Sequence, residues 1–399
     1  MRTEAMKHSA LETLRIRNFK AIRDSGLLRL TPLTVFIGNN GSGKSSVLEA
    51  LETLQMCVDR GLDAAMQMWR GIEHIRNKSR PFQVPADATW GQLTPGSIIF
   101  ELTGRVEADA AAPRAAEAFE AITAWDERAV PGVPGAGPEE KLLFNGEWLR
   151  VGSKQANRFE PRDRPVPPDL SLFAADPLGR NFVVYVEDWQ FVSLSPQAMG
   201  EPTPQTRSSK RIRLGKDGAN VAEYLQDIRN TDPAAFAGII EALRTVLPYA
   251  DDLQPALTSE LERTVYLQLA ERDFKVPGWL LSTGTLRILA LLALLRHPKP
   301  PPLIAIEEIE NGLDPRTVHL LVEEIRVAVE SGRTQVIATS HSPYLLDLVP
   351  LSAIIFVERI GDEPRFSRPA DSKEVLEWAK SFAPGQLFTM QRLRGEAQS

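Results

Sequence analysis

Residues 33–46 of the chain read LTVFIGNNGSGKSS, and this run constrains the fold more strongly than any other part of the sequence. Its first five residues, Leu33–Ile37, are apolar or β-branched, which predicts a buried strand. Apolar residues then recur with a helical period from Val47 to Val58, so we predict a helix that begins near Lys44. A glycine-rich turn between a strand and a helix is the usual setting of a phosphate-binding loop.

The turn matches the pattern G-x-x-x-x-G-K-[ST] of such a loop. Glycines let successive backbone N–H groups face phosphate oxygens, and the helix N-terminus offers the same anion a positive dipole end. Lys44 can reach the outer phosphates, and the Ser45 hydroxyl can bind the Mg²⁺ that bridges them. The flanking strand and helix disfavour a chance match. We predict that a nucleoside triphosphate is bound by Gly38, Asn39, Asn40, Gly41, Ser42, Gly43, Lys44, Ser45 and Ser46.

The composition is typical of a globular protein. The 399 residues are 43% hydrophobic and 25% charged, and the length suits about two domains, or one α/β domain with a large insertion. The net charge of −6 gives no overall reason to expect nucleic-acid or acidic-membrane binding, which would need a local basic surface. Cys57 is the single cysteine, so no intrachain disulfide can form, which fits a reducing compartment.

Two further observations predict a cytoplasmic protein without a membrane span. Residues 1–10 lack the apolar run of a signal peptide. The longest apolar run, residues 280–295, is interrupted by polar residues in its first half, which is more typical of a buried helix than of a span.

Changes in composition predict four regions: 1–60 with N-terminal strands and the phosphate loop, 61–180 as a Pro/Gly-rich insertion or lid, 181–300 as a lobe bearing a Ser/Gly helix start, and 301–399 as the rest of the core with a short tail. Within the insertion, Ile98 to Leu102 resembles a strand and Arg114 to Ala124 an Ala-rich helix. After it, Phe182 to Val186 is a strand candidate. No heptads are sustained, so we expect no long coiled-coil arm.

One short segment is strongly basic, with five cations in ten positions: Arg207, Lys210, Arg211, Arg213 and Lys216. Such a cluster could contact the phosphate backbone of double-stranded DNA. A solvated surface loop is the other interpretation, and it is the commoner one for a charge run in an acidic protein. The sequence leaves both interpretations open.

A Ser and a Gly stand at the start of the apolar helix, in the stretch LSTGTLR at residues 281–287. Orphan N–H groups and a hydroxyl at a helix start can bind an anion, so Ser282, Gly284 and Thr285 are candidates for a second phosphate contact. A Ser N-cap with a purely structural role is the alternative.

Two strand ends carry the remaining polar candidates. The apolar run 303–306 leads to Glu307 and Glu308, and ionised carboxylates avoid burial unless they are paired or bind a metal. Successive strand side chains point in opposite directions, so one acid could face Mg²⁺ and the other the attacking water. The run 334–339 leads to His341, which could hydrogen-bond a γ-phosphate at the ligand-binding edge of an open sheet. Exposed charges and a structural histidine are the alternatives.

This order of motifs resembles the ATP-binding-cassette ATPases. Within that group it is similar to the SMC/RecF/OLD-type branch, and most to the bacterial predicted AAA-type ATPases of that branch. The resemblance is carried by LRIRNFKAI before the loop, by S-x-G-T-x-R at the helix start, and by E-E-x-E-N-G-L after the acidic strand. It covers residues 11–58 well and about 180–360 moderately, and hardly covers the insertion.

The resemblance implies an α/β fold of the ABC-type P-loop class, with an N-terminal antiparallel β-subdomain, a mostly parallel core sheet and a helical signature lobe. It implies ATP and Mg²⁺ as ligands. It also implies a homodimer that forms with ATP, in which Ser282, Gly284 and Thr285 close over the γ-phosphate bound to a second copy. Leu313 and Asp314 would then communicate between the two sites.

The same resemblance implies roles for the strand-end residues. Glu307 would hold the metal through water, Glu308 would orient or deprotonate the attacking water, and His341 would be the switch histidine. The sequence departs from the family pattern in three places. Glu307 stands where Asp is usual, and Thr283 stands where Gly or Asp is more usual. The Gln that normally bridges Mg²⁺ and the lid has two candidates, Gln83 and Gln92.

The implied activity is hydrolysis of ATP to ADP and phosphate. OLD-type relatives carry a TOPRIM nuclease domain after the ATPase, and residues 342–399 are too few for one, so we expect no nuclease activity from this chain alone. A separate nuclease or other effector would be the partner, in DNA repair or phage defence. A transporter cassette and a regulatory ATP-binding module with negligible turnover stay open as alternatives.

Overall fold

The computed structural model describes residues 9–79, 96–107, 116–129, 141–152, 154–155, 173, 179–205, 212–257, 264–272 and 274–394. Its strands are β1 Ala10–Phe19, β2 Ile22–Asp24, β3 Leu28–Arg29, β4 Leu33–Ile37, β5 Ile98–Val106, β6 Glu117–Ala129, β7 Lys141–Val151, β8 Lys154–Gln155, β9 Gln190–Val192, β10 Thr203–Pro204, β11 Asp252–Leu257, β12 Thr264–Glu271, β13 Phe274–Pro277, β14 Leu303–Ile306, β15 Gln335–Ser340, β16 Ile354–Ile360 and β17 Glu363–Ser367.

The α-helices are α1 Lys44–Arg60, α2 Leu62–Met68, α3 Ile72–Ile75, α4 Arg180–Glu187, α5 Pro196–Gly200, α6 Val221–Thr231, α7 Pro233–Arg244, α8 Thr283–Leu295, α9 Pro315–Glu330, α10 Pro343–Leu348, α11 Lys373–Trp378 and α12 Pro384–Thr389. Short 3₁₀ turns lie at Gly278–Leu280, Leu351–Ala353 and Pro369–Asp371. None of these described helices is both long and apolar enough to cross a bilayer.

By its contacts the chain divides into two compact units. The first comprises Met1–Thr31, Phe36–Trp189 and Ile355–Arg368, and the second Pro32–Val35, Gln190–Ile354 and Pro369–Ser399. The first unit contains a seven-stranded antiparallel sheet in the order β2-β1-β5-β6-β7-β8, with β3 also paired to β1. This sheet confirms the expected N-terminal antiparallel subdomain.

The prediction of a helix from Arg114 to Ala124 is wrong, because β6 occupies this part of the chain from Glu117. From Phe119 to Thr123 the buried residues Phe119, Ala121 and Thr123 alternate with the more exposed Glu120 and Ile122, a period of two that suits a strand. The strand pairs with β5 through Glu117–Trp125, so the sheet overrides the helical propensity of its alanines.

The prediction of a strand from Phe182 to Val186 is also wrong, because these residues lie in helix α4. The buried side chains Phe182, Val183, Tyr185 and Val186 follow helical spacing. The amide of Gln55 in α1 donates to the carbonyl oxygens of Val186, Glu187 and Trp189, and so satisfies the end of this helix. A five-residue apolar run carries too little periodicity to separate the two structures.

A six-stranded sheet has the order β17-β16-β4-β15-β14-β9. Strand β14 runs parallel to both β15 and β9, while β16 and β17 form an antiparallel hairpin. The expectation of an α/β fold is confirmed, and β9, β14 and β15 form a parallel part of this sheet. Since β14 ends at Ile306 and β15 at Ser340, Glu307, Glu308 and His341 follow the carboxyl ends of neighbouring parallel strands.

The second unit contains a four-stranded antiparallel sheet, in which β12 pairs with β10, β11 and β13. The predicted signature lobe therefore includes strands besides its helices α5–α8. Helix α7 begins after Asp232, whose carboxylate accepts a hydrogen bond from the N–H of Ala235 at 2.9 Å. The apolar helix α8 follows this sheet and is almost wholly buried along its length.

Candidate nucleotide site

The loop between β4 and α1 has the backbone that phosphate binding requires. Gly41 and Gly43 have φ angles of +74° and +103°, in the region that favours glycine. A Cβ atom on Gly38 would lie 1.9 Å from the carbonyl oxygen of Val357, so no larger residue fits that position without movement. Gly38 is therefore required by close packing against Val357, and Gly43 by its backbone conformation.

The groups around this loop fit a bound polyphosphate. Gly43, the N-cap residue of α1, has no side chain that could accept from the first-turn N–H groups. The Ser42 hydroxyl is buried and has no hydrogen-bond partner among the described residues. Lys44 is 5% exposed and its ammonium donates to the carbonyl oxygens of Gly38 and Asn39 at 2.8 and 2.9 Å. The loop thus gathers donors and one cation within a few residues.

The start of α8 contains the predicted Ser/Gly motif. Ser282 is the N-cap residue, and its hydroxyl accepts from the N–H of Thr285 at 3.1 Å and lies 2.8 Å from that residue's hydroxyl. A Cβ on Gly284 would lie 2.8 Å from the carbonyl oxygen of Gly312, so the helix start packs closely against the turn after β14. Ser282 therefore has a capping role within the chain, and its contact with a phosphate stays a prediction.

The two acidic residues lie just beyond β14 and not on it. The N–H of Glu307 donates to the carbonyl oxygen of Val192 at 3.0 Å, and that of Glu308 donates to Oγ1 of Thr339 at 2.9 Å. Glu308 has a φ of +46°, which is uncommon for a residue with a side chain. Strand alternation was therefore the wrong reason to expect the two carboxylates to diverge, because a left-handed turn residue sets the direction of Glu308.

The structure brings Glu308 and His341 together. Nε2 of His341 lies 3.8 Å from Oε1 of Glu308, and both side chains are partly exposed. Asn311 donates from Nδ2 to the other oxygen of Glu308 at 3.1 Å, and Glu310 accepts from the backbone N–H of His341 at 2.6 Å. The sequence motif E-E-x-E-N-G-L contained Glu310 and Asn311, yet nothing in its pattern assigned them these contacts.

Arg287 is a further charged residue beside this turn. Its guanidinium donates from Nη2 to the carbonyl oxygen of Leu194 at 2.8 Å. Burial lowers the pKa of Arg287, and the charge of Glu308 opposes that shift. Arg287 is the last residue of the motif S-x-G-T-x-R, whose pattern predicts no separate role for it.

Asp314 caps helix α9. Its carboxylate accepts from the N–H groups of Arg316 and Thr317 at 2.9 and 3.3 Å, and also from the Thr317 hydroxyl. The hydrogen bond from the Thr317 hydroxyl is the main reason that the pKa of Asp314 lies below its ordinary value. Leu313 donates its N–H to the carbonyl oxygen of Glu310 at 3.0 Å within the same turn.

The predicted site residues are divided between the two compact units. The phosphate loop belongs to the first unit, while the α8 start, the acidic turn and His341 belong to the second. Arg213 and Lys216 are exposed, but Arg207, Lys210 and Arg211 lie outside the described residues, as do both candidates for the bridging glutamine, Gln83 and Gln92. In the described part of the chain, no three His, Cys, Asp or Glu side chains cluster as a ready-made metal site.

Two family models match the chain. Residues 147–347, just over half of the 399, match the family described as "AAA domain, putative AbiEii toxin, Type IV TA system". Residues 10–57 match the one described as "AAA ATPase domain". The first match includes Ser282, Glu308 and His341, and the second includes the phosphate loop.

One curated relative is an OLD nuclease from Thermus scotoductus, 22% identical over 361 residues. The alignment covers 88% of this chain but only 63% of that relative's length. This likeness and the family matches confirm the predicted SMC/OLD-like resemblance.

Solved structures show the same fold at low identity. An SMC head bound to the C-winged helix domain of ScpA superposes with a TM-score of 0.52 at 13% identity, covering 90% of this chain and 97% of that one. An Smc head with an extended coiled coil, bound to the C-terminal domain of ScpA derived from Pyrococcus furiosus, gives 0.51 at 12% identity, covering 94% and 100%. The fold is therefore that of an SMC-head-like α/β P-loop ATPase.

Proposed function

The chain belongs to the family described as AAA domain, putative AbiEii toxin, Type IV TA system, and we propose from this premise that it binds ATP with Mg²⁺ and hydrolyses it. The observation that carries the proposal is the phosphate loop itself. An uncapped helix start and a buried Ser42 hydroxyl with no partner among the described residues lie there beside the buried cation of Lys44. A triphosphate would satisfy the helix start and the hydroxyl, and the charge of Lys44 would favour its binding.

Each residue would contribute a separate effect. Lys44 and the N–H groups of the loop orient the phosphates and balance their charge. Ser45, with Glu307 through water, would hold Mg²⁺, which supplies further charge neutralisation on the phosphate oxygens. Glu308 would orient the attacking water and accept its proton, and His341 would hydrogen-bond the γ-phosphate. The 3.8 Å between Glu308 and His341 leaves the two side chains close enough to act on the same group.

We propose that two copies assemble head to tail around two ATP molecules. In that arrangement Ser282, Gly284 and Thr285 contact the γ-phosphate held by the other copy, and the turn that ends in Leu313 and Asp314 lies between the two sites. The close packing of Gly284 on Gly312 supports this, because movement of the α8 start would reach the acidic turn directly.

The broader role proposed is action on double-stranded DNA, or control of a separate effector such as a nuclease, in DNA repair or phage defence. The family description names a putative toxin, and the curated relative is named a nuclease. Because this chain spans only 63% of that relative, its nuclease activity is not carried over here. Exposed Arg213 and Lys216 are the described residues proposed to contact DNA phosphates.

The proposal is tested with purified wild-type chain, Mg²⁺ and ATP, with and without linear and circular DNA. We expect phosphate release that Lys44→Ala abolishes, because the loop loses its cation. Glu308→Gln should bind ATP without turnover and accumulate as a dimer, measured by light scattering after gel filtration.

Three outcomes would decide against parts of the proposal. Wild-type protein that binds ATP and dimerises but releases no phosphate would indicate a regulatory module. A Glu308→Gln protein that stays monomeric in saturating ATP would contradict the two-copy arrangement. DNA cleavage by the chain alone would contradict the assignment of nuclease activity to a partner.

A further inference from the structure

Two adjacent residues of one turn hold both members of the Glu308–His341 pair. Glu310 accepts from the backbone N–H of His341 at 2.6 Å, and Asn311 donates to Oε2 of Glu308 at 3.1 Å. Within the pair, Nε2 of His341 lies 3.8 Å from Oε1 of Glu308. These contacts form a ring through Glu308, Asn311, Glu310 and His341, although Glu308 and His341 follow different strands.

Glu310 contributes a charge-assisted hydrogen bond at a desolvation cost. One carboxylate oxygen binds the His341 N–H, while the other, Oε2, is buried and has no hydrogen-bond partner among the described residues. Burying a carboxylate oxygen in this way opposes folding. A neutral acceptor would bind the same N–H at a lower desolvation cost. The stability of the fold therefore does not explain why a carboxylate stands at this position.

Asn311 binds Glu308 at two points. Its backbone N–H donates to the carbonyl oxygen of Glu308 at 2.9 Å, and its amide binds Oε2 of the same residue. With Oε2 engaged, Oε1 is the oxygen that faces His341. Glu308 has the left-handed φ of +46°, so it needs such contacts, together with that from Thr339, to keep a single orientation.

We propose that Glu310 and Asn311 are positioning residues for ATP hydrolysis, acting through His341 and Glu308 respectively. This inference rests on the function proposed above. Glu310 fixes the backbone from which the imidazole projects, and Asn311 fixes the rotation of the carboxylate. Together they set the separation of the two groups that act on the γ-phosphate and the water.

The Glu310 half is tested with Glu310→Ala, Glu310→Gln and, as a matched control, Glu330→Ala, an exposed acid at the far end of α9. Glu310→Ala should lower kcat roughly 10- to 100-fold with little change in the KM for ATP, because misplacing a catalytic group affects the chemical step. Glu310→Gln keeps an acceptor and should recover part of the loss. The control should match wild type.

A second measurement reads the contact without relying on turnover. Hydrogen exchange at the amide of His341, followed by mass spectrometry of the peptide that contains it, should be faster in Glu310→Ala than in wild type. In Glu310→Gln it should stay close to wild type, because the amide oxygen can still accept that bond.

The Asn311 half is tested by double-mutant cycles. Asn311→Ala should lower kcat about tenfold, and Asn311→Asp should lower it further, since it places a second carboxylate against Glu308. In a Glu308→Asp background, which keeps a carboxylate so that residual turnover can be measured, Asn311→Ala should cause a smaller loss than in wild type, and in a His341→Ala background so should Glu310→Ala.

Failure of this inference is distinguishable from failure of the proposed function. Wild-type protein without ATP turnover would contradict both. An active wild type with Glu310→Ala and Asn311→Ala equally active, or with losses that multiply fully in the double mutants, would overturn the positioning roles alone. Losses confined to KM would overturn them as well.

Discussion

The phosphate loop and the acidic turn both carry residues proposed to act in ATP hydrolysis, but they are built in opposite ways. The loop is a single run, Gly38–Ser46, and its shape follows from backbone geometry within that run. The acidic turn depends on hydrogen bonds to Val192, Thr339 and His341, which lie far away in the chain. A site of the first kind can be identified from sequence, whereas one of the second kind needs the fold.

The two regions also differ at their left-handed residues. In the loop the left-handed residue is Gly43, with φ +103°, and a glycine adopts this conformation at little cost in free energy. In the turn the left-handed residue is Glu308, with φ +46°, whose side chain is proposed to act on the attacking water. The strain at Glu308 must therefore be balanced by its partners, Thr339 and Asn311. Substitutions in the loop should act on nucleotide binding, and substitutions around the turn on turnover and stability.

The largest effect is expected from Gly38→Ala. Its Cβ would lie 1.9 Å from the carbonyl oxygen of Val357, so the loop or β16 must move. We expect ATP binding, measured by calorimetry, to be lost at concentrations that saturate wild type. The matched variant Gly41→Ala meets no atom within 4 Å and carries only backbone strain, so it should weaken binding far less. Equal effects would mean that close packing does not govern the loop.

An intermediate effect is expected from Thr339→Val, which keeps the shape of a buried side chain and removes the acceptor for the N–H of Glu308. Leaving that N–H without its acceptor should lower the free energy of unfolding by about 1–3 kcal/mol, measured in urea, and should reduce turnover. Thr339→Ser retains the hydroxyl and serves as the control. If Val and Ser behaved alike, Glu308 would not depend on this hydrogen bond.

The smallest effect is expected from Asp314→Ala, which removes the cap of α9. The free energy of unfolding should fall by about 1 kcal/mol, as for other N-cap losses. The pKa of Asp314 lies below its ordinary value of 3.8, so the ionised cap stabilises the fold fully above that value. The difference between wild type and variant in urea should therefore shrink as the pH falls through the folded-state pKa, and Asp314→Asn should show less pH dependence.

The sequence was sufficient for the contiguous elements. The strand Leu33–Ile37, the start of α1 at Lys44, the Ser282 cap and the strands that lead to Glu307 and His341 all follow from patterns within a few residues. The SMC/OLD-like fold followed from the order of these motifs. The roles of the site residues in catalysis stay predictions.

The errors have a physical cause in common. The alanines of β6 favour a helix locally, and the apolar run of α4 fits a short strand equally well, so partners elsewhere decided both structures. Glu310 and Asn311 were missed for the same reason, because a carboxylate that binds an N–H 31 residues away leaves no mark in local spacing.

The short strand β9 lies at one edge of the six-stranded sheet, and the residues after it continue the edge. Val192 and Leu194 accept from Glu307 and Arg287 on one side, while Ser193 and Ser195 donate to the carbonyl oxygens of Lys216 and Asp217 on the other. Lys216, the last residue of the basic cluster, and Asp217 thus cover backbone groups that would otherwise offer a template to a strand of another molecule. A deletion around Lys216 should therefore make the chain prone to aggregate through this edge, even where the nucleotide site is intact.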